Sequence, residues 1–344
     1  MSKGVDIGTC FLVCASQDDN SKVQIKSIRD AFLDLENEPQ TKNMLKISAT
    51  NYIEDEDRLY IIGDPAVVMA NIFKREARRP LSKGVIAPGE LDAEKVLNVL
   101  LENILGRAKA QNETCFFSVP APSIDREMDI IYHQAMFSKL VGKLGYNPVA
   151  LNEAAAIAYS NAAKENFSAL AISFGAGMVN ICLMYQTMIG MAFSISRGGD
   201  WIDESAARST GSTASRSQSI KERGVDLLDA SKGDPKTIRE REAITVYYKS
   251  LIMYALDSIK NEFMKRQGTI DLPNAVPIIL SGGTAKAENF KEFFEGAFNS
   301  IKEKFPFAIS EIRMAGDPLN AVAQGLLVAA MNQEGDGVTP AQVQ

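Results

Sequence analysis

The residues here that could do chemistry are mostly small. In AISFGAGMVNICLMY, residues 171 to 185, an apolar run enters a Gly-x-Gly turn, Gly175-Ala176-Gly177, and leaves through Met178 as a second apolar run. A hairpin this tight can turn backbone N–H groups outward and cradle an anion. No charged side chain lies in the stretch, and Ser173 stands just before the turn. Near the start of the chain VDIGTCFLVC, residues 5 to 14, repeats the arrangement around Gly8, Thr9 and Cys10, with Asp6 near the end of the first run. Small residues in such turns let the backbone approach a phosphate. Taken alone, either stretch also reads as a hairpin turn that holds no ligand.

Composition narrows the classes. The chain has 344 residues, 46% of them apolar, and a net charge of −6. That length suggests about two domains and suffices for a sizeable core. The acidic balance argues against a protein that coats nucleic acid. No apolar run approaches the ~18 residues of a membrane span. Val5 already opens a strand, so no signal peptide is expected and the expected location is cytoplasmic. Cys10, Cys14, Cys115 and Cys182 lie in apolar runs without Cys-x-x-Cys spacing and read as reduced core cysteines. A single histidine, His133, excludes a His-rich metal site and argues against a Ser-His-Asp hydrolase. It falls in an amphipathic helix ending at Gly145 and reads as a packing residue.

The elements that must position the turns alternate between strand and helix, an α/β pattern. Strand-turn-strand at 4–16 is followed by short strands KVQIKSI and RLYIIGD, separated by a polar stretch. An amphipathic helix at 94–110, a buried strand at 113–122, the His133 helix, a strand at 147–150 and the small-residue helix NEAAAIAYSNAA follow. The pattern then restarts: strand-turn-strand, the strand MIGMAFSIS, a long helix AITVYYKSLIMYALDSIKNEFMKR, the buried strand AVPIILSGG, a helix at 287–301 and a small-residue helix at 317–331. VDIGTCFLVC matches AISFGAGMVNIC, FFSVPAPS with its helix matches IILSGGTAK with its helix, and LNEAAAIAYS matches LNAVAQGLL, all in the same order. This is an internal duplication with a long period. Two similar lobes facing across a cleft would set the glycine hairpins opposite one another, where they can clamp a polyphosphate.

With these stretches in place the chain resembles the actin-like ATPase superfamily, which includes actin, MreB, ParM, the DnaK-type chaperones and the sugar kinases. DIGTC is similar to its first phosphate motif, NEAAAIAY to the first connecting helix and the hairpin at 173–180 to the second phosphate motif. SGGTAKAENF is similar to the adenosine motif and DPLNAVAQG to the second connecting helix. RRPLSKGVI (78–86) and GGDWIDESA (198–206), the latter a Gly-Gly-Asp turn, place it nearest the prokaryotic filament proteins of the MreB type. The implied fold is α/β, with two duplicated lobes (RNase H-like, actin fold) around a nucleotide cleft and small inserted subdomains. Lobe I is expected over 1–150, with an insertion at 30–80 and the helix 317–331 returning to it. Lobe II is expected over 151–316, with a reduced insertion at 212–242, and 332–344 is expected to be a disordered polar tail.

The resemblance also implies roles and cofactors, ATP or ADP with Mg²⁺. Asp6 would hold the metal through water, in keeping with a cation that takes one or two carboxylates plus phosphate oxygens. Gly8, Thr9, Cys10, Ser173, Gly175, Ala176, Gly177 and Met178 would line the phosphates, and Gly199 the cleft behind them. Glu153 matches the residue that orients the attacking water; helix capping alone is the other reading. Gly282, Gly283 and Thr284 would meet adenine. Gln218 and Lys221, on one helix face, would hold ribose and base, Gln218 standing where relatives carry an acid; a solvated polar helix is the alternative. The second hairpin departs from the Asp-x-Gly-x-Gly-Thr-x-Asp pattern at Ser173, Met178 and Asn180. The backbone cradle survives, but lost acids should weaken metal handling, typically by ~10–100-fold.

The expected function is a polymerising, cytoskeletal, slowly hydrolysing ATPase. The alternative is a non-polymerising nucleotide switch or scaffold read by a protein partner. A small-molecule kinase finds no candidate general base. Self-association and an adaptor protein are the expected partners. Direct nucleic-acid binding and membrane insertion are not expected, and no amphipathic leader precedes Val5 to bind a membrane as in MreB.

Overall fold

The computed structural model describes residues 2–18, 20–110, 113–266, 268, 270 and 272–336. Its first three strands, β1 (Lys3–Ile7), β2 (Phe11–Gln17) and β3 (Val23–Arg29), run antiparallel. Val5 and Leu12 are fully buried, whereas β3 is largely exposed at the sheet edge. An insertion follows: β4 (Phe32–Glu36), α1 (Pro39–Ile47), β5 (Ile53–Asp55), β6 (Arg58–Ile62) and α2 (Asp64–Phe73). These build a three-stranded sheet, β4-β6-β5, with its own small core around Leu33, Leu45, Leu59 and Ile61. Within the insertion expected at 30–80 the sequence reading places one strand beside a polar stretch; the structure adds two strands and two helices, with a proline in the first turn of each helix, where its missing N–H costs nothing.

A short hairpin, β7 (Leu81–Ser82) and β8 (Val85–Ile86), turns at Lys83-Gly84. Then come α3 (Ala93–Leu105), β9 (Thr114–Val119), α4 (Ile130–Lys143) and β10 (Asn147–Asn152), and the first sheet reads β10-β9-β1-β2-β3. Helix α5 (Glu153–Asn161) leads to β11 (Ala169–Phe174), β12 (Val179–Tyr185) and β13 (Met188–Ile195). Helices α6 (Gly199–Thr210), α7 (Ala214–Glu222) and α8 (Ile238–Lys265) precede β14 (Val276–Ser281), α9 (Phe290–Asn299), β15 (Ile309–Met314) and α10 (Ala321–Asp336). The second sheet reads β13-β12-β11-β14-β15.

The two sheets have one plan. In each, the first hairpin strand is central, with two antiparallel strands on one side and two parallel strands on the other. The duplication visible in the sequence is thus a duplication of topology. Between the sheets cross α5 and α10, packed through small residues: Ala154 to Ala158 are fully buried. A Cβ on Gly325 would stand 1.7 Å from the Ala156 carbonyl oxygen, so that position admits glycine alone.

Three expectations change. GGDWIDESA is not a turn but the start of α6. The final helix runs to Asp336, five residues into the stretch expected to be a tail; residues 337–344 lie outside the described residues. Strand β15, half-buried at the sheet edge, carries too weak an apolar signal to be read from sequence. Among the described residues no helix is long and apolar enough to cross a membrane.

His133 is fully buried in α4 against Phe137, and neither ring nitrogen has a hydrogen-bond partner among the described residues. Burial pushes its pKa down to about 4. The fold therefore holds it neutral while the unfolded chain takes up a proton near pH 6.5. Its stabilising effect is complete above that pH and is lost as pH falls toward 4, a change on the order of 3 kcal/mol. Because buried carboxyls titrate over the same range with the opposite sign, the His133 contribution is read as a difference. The unfolding free energy of His133→Leu minus that of the parent should shift in the variant's favour by about 3 kcal/mol between pH 7 and 4, and a pH-independent difference would contradict the assignment.

Candidate functional site

A cavity of about 470 Å³ opens between the lobes. Its walls bring together every residue that the sequence points to. Asp6, Gly8, Thr9 and Cys10 come from the first hairpin, Glu153 from α5, and Ser173, Gly175, Ala176, Gly177 and Met178 from the second. Gly199 comes from α6, Gln218 and Lys221 from α7, and Gly282, Gly283 and Thr284 from the end of β14.

The second hairpin is braced from behind. The Gly175 carbonyl accepts from Gly199 N at 2.9 Å and from Thr284 Oγ1 at 2.8 Å, and the Ala176 carbonyl accepts from Asp200 N at 2.9 Å. With its carbonyls engaged, the tip is left with the N–H groups of Ala176 and Gly177, which have no acceptor among the described residues. Thr9 N and Cys10 N occupy the same position at the other tip and are likewise free among the described residues. Backbone N–H groups rarely go unsatisfied, so these donors are available to an acceptor entering the cavity, whether water or an anion.

The tips meet. A Cβ on Gly177 would stand 2.5 Å from Thr9 Oγ1 and 2.8 Å from Gly84 N. Thr9 Oγ1 accepts from Gly84 N at 2.9 Å. Gly84 has φ +80° and faces Met178, whose sulfur would be 2.4 Å from an added Cβ. The Lys83-Gly84 turn is thus wedged between the hairpins, a role that the stretch RRPLSKGVI does not reveal in sequence. Beside it Arg79 of lobe I reaches Asp200 of lobe II at 2.9 Å.

Two carboxylates share the floor. Ser118 Oγ donates to Asp6 Oδ1 at 2.9 Å and accepts from Ile7 N at 2.7 Å. Glu153 opens α5, but Asn152 caps that helix by accepting from Ala155 N at 3.0 Å, so capping does not account for Glu153. Its Oε1 accepts from Ser173 Oγ at 2.7 Å and its Oε2 from Asn180 Nδ2 at 2.7 Å. Ser173 and Asn180, which the sequence presents as lost acids, are the donors that hold this carboxylate. Burial holds both carboxyls above the ordinary range, and the charge of Asp6 pushes Glu153 further. Among the described residues no group of three or more His, Cys, Asp or Glu could hold a metal by itself. The donor set is a pair of half-buried carboxyls beside the hairpin tips, which fits Mg²⁺ completed by phosphate and water.

At the far end Lys221 does not face the cavity as a free cation. Its Nζ donates to Asp203 Oδ2 at 2.6 Å and to the Gly199 carbonyl at 2.7 Å. Burial pushes the Asp203 carboxyl up to about 7 despite that ammonium. Gln218 Nε2 donates at 2.9 Å to Glu222 Oε1, and Glu222 lines the cavity, so an acid is present one turn from where relatives' spacing put it. Gly282, at φ +97°, lies so close to strand β11 that a Cβ would be 2.3 Å from the Phe174 carbonyl oxygen. Sequence reading misses both Asp203 and Glu222; spacing on α6 and α7 could find them once α6 is recognised as a helix.

A family model described as Volactin matches residues 1–330. No curated protein sequence matches the chain. Among solved structures, a MamK double helical filament is similar with a TM-score of 0.70 at 17% identity, covering 96% of this chain and 98% of that one. MreB5 of Spiroplasma citri bound to ADP is similar with a TM-score of 0.63 at 16% identity, covering 98% and 99%. Ethanolamine utilization protein EutJ from Carboxydothermus hydrogenoformans is similar at 0.54 and 14%, covering 95% and 89%. At such identities the likeness is one of fold: the chain has the actin-like fold over nearly its full length.

The Lys221–Asp203 pair makes a prediction that needs no ligand. Lys221→Met leaves a buried carboxyl without its cation and should lower stability by about 3 kcal/mol. Asp203→Asn added to that variant should recover most of the loss. An unchanged denaturation midpoint in Lys221→Met would show that the pair does not brace α6 against α7.

Proposed function

As the chain belongs to the Volactin family and has the actin-like fold, we propose that it is an ATP-binding, filament-forming cytoskeletal protein whose nucleotide closes the cleft and is hydrolysed slowly. The observation that carries this reading is the pair of hairpin tips, each with two N–H groups free among the described residues, which meet at the wall of a cavity that Asp6 and Glu153 also line. A volume of about 470 Å³ suits a nucleotide-sized ligand. One fold relative, MreB5 of Spiroplasma citri, was solved both with ADP and with AMPPNP, and another, MamK, as a double helical filament.

In this reading the N–H groups of Thr9, Cys10, Ala176 and Gly177 bind the phosphates. Asp6 holds Mg²⁺ through water, and the ion supplies charge neutralisation at the phosphoryl oxygens. Glu153 orients the attacking water, held in place by Ser173 and Asn180. Gly282, Gly283 and Thr284 present backbone to adenine, and Gln218 with Glu222 presents hydrogen-bonding groups to ribose. With no acid at 173 or 180, metal handling is weaker and turnover slow. A head-to-tail contact between copies, repeated along one axis, would give a filament.

One observation favours the second reading, a non-polymerising switch read by a protein partner. The second insertion carries α7 and a loop pinned by Arg241, which donates to the carbonyls of Ala230, Ser231 and Asp234. Its described residues form no sheet of their own, so it offers a smaller face to a neighbouring copy.

Electron microscopy and sedimentation with ATP and Mg²⁺ separate the two. Filaments should appear with ATP and Mg²⁺ and be absent without nucleotide; their absence over a wide protein concentration range would leave the switch. Glu153→Ala should cut phosphate release by roughly 100-fold or more and prolong the filaments. Unchanged release would remove Glu153 from the chemistry.

A further inference from the structure

Asn180 does more than fill a position where an acid is missing. It is fully buried in β12 and is not part of the cavity wall. Its Nδ2 donates to Glu153 Oε2 at 2.7 Å, and its Oδ1 accepts from Ala121 N at 3.2 Å. The orientation of the amide is set by these partners: a backbone N–H can only donate, and a carboxylate accepts, so the flipped amide would oppose both.

Ala121 belongs to lobe I, at the end of β9, in a segment that is stitched to lobe II. Ser194 Oγ donates to the Ala121 carbonyl and Ser194 N to the Pro122 carbonyl, both at 2.9 Å. Ile124 N donates to the Ser194 carbonyl at 3.0 Å, and Ser196 N to Asp125 Oδ1 at 2.8 Å. One planar amide therefore touches the main chain of lobe I, stands on a strand of lobe II and holds the acid that begins the connecting helix. The other oxygen of Glu153 is fixed from lobe II alone, by Ser173.

We propose that Asn180 is a positioning residue through which lobe I sets the carboxylate of Glu153, so that hydrolysis follows the relative placement of the lobes. The proposal rests on the reading of Glu153 as the group that orients water. A lobe movement that draws the Ala121 segment off β13 must break these bonds; the amide then loses Ala121 N as its anchor, and the carboxylate pivots about its bond to Ser173. An aspartate in place of Asn180 could still accept from Ala121 N but could not donate to Glu153, and would repel it. Asparagine at this position is thus a requirement of the junction.

The test has two arms. In the unliganded protein, unfolding midpoints are compared for N180D, E153Q and N180D/E153Q. The carboxylate that N180D introduces can accept from the amide that E153Q introduces, so N180D alone should be destabilised and the double variant restored toward the parent. Strictly additive effects would overturn the junction. In the second arm phosphate release and nucleotide affinity are measured with ATP and Mg²⁺. N180D should lose turnover on the order of 100-fold from misplacing Glu153, with KM and ADP affinity unchanged. N180D turning over as fast as the parent, or faster, would overturn the proposal, because the acid would then merely have been missing. A parent that releases no phosphate defeats the hydrolytic reading and with it the control of turnover, while the unfolding cycle still decides whether Asn180 holds Glu153.

Discussion

The closest approach between the two connecting helices is at a glycine. Gly325 of α10 lies against the Ala156 carbonyl of α5 with no room for a methyl group. Everything at the cleft depends on that contact. It lets the two sheets stand close enough for their hairpin tips to touch, and it brings the N-terminus of α5, with Glu153, to the floor between them. The surrounding alanines contribute through their small size: interiors are close-packed, and larger side chains here would separate the lobes. Gly4 of β1 is under the same constraint, since a Cβ there would stand 2.4 Å from the Ala323 carbonyl oxygen.

Once the lobes are that close, the electrostatics of the floor follow. Asp6 and Glu153, both half-buried, are close enough for the charge of one to act on the other and need donors or a cation. Ser118 supplies one donor to Asp6, while Ser173 and Asn180 supply two to Glu153. Positive character comes from the backbone N–H groups at the hairpin tips, which carry no formal charge, and from Arg29 and Lys286 elsewhere in the lining, neither of which donates to these two acids. Such a site favours a ligand that brings its own cation, as a magnesium nucleotide does. The same economy appears behind the tips, where Lys221 and Asp203 neutralise one another and stay out of the cavity's electrostatic balance.

Much of this was legible in the chain. The glycine hairpins, the small-residue helices and the order in which they recur led to the duplicated fold, and the residues quoted for the cleft all line it. What stayed hidden has identifiable causes. Helix α1 is short and lies in a polar stretch, and α2, though apolar, is only ten residues long and follows a strand directly. Helix α6 begins at a Gly-Gly pair, which reads as a turn because glycine is the residue of turns; here it is also where the hairpin must approach a helix N-terminus. The partners of Glu153 are 20 and 27 residues away in sequence, and nothing in local pattern reveals that a serine and an asparagine converge on one carboxylate. Departure from a family pattern marked these positions, and geometry was needed to say that the replacement residues are hydrogen-bond donors.

The central claim is that the two hairpin tips clamp a polyphosphate between the lobes. A crystal structure of the protein grown with AMPPNP and Mg²⁺ tests it most directly. The account predicts phosphate oxygens within hydrogen-bond distance of the N–H groups of Thr9 or Cys10 on one side and Ala176 or Gly177 on the other. A nucleotide bound outside this cleft, or bound within it without contact to either tip, would contradict it.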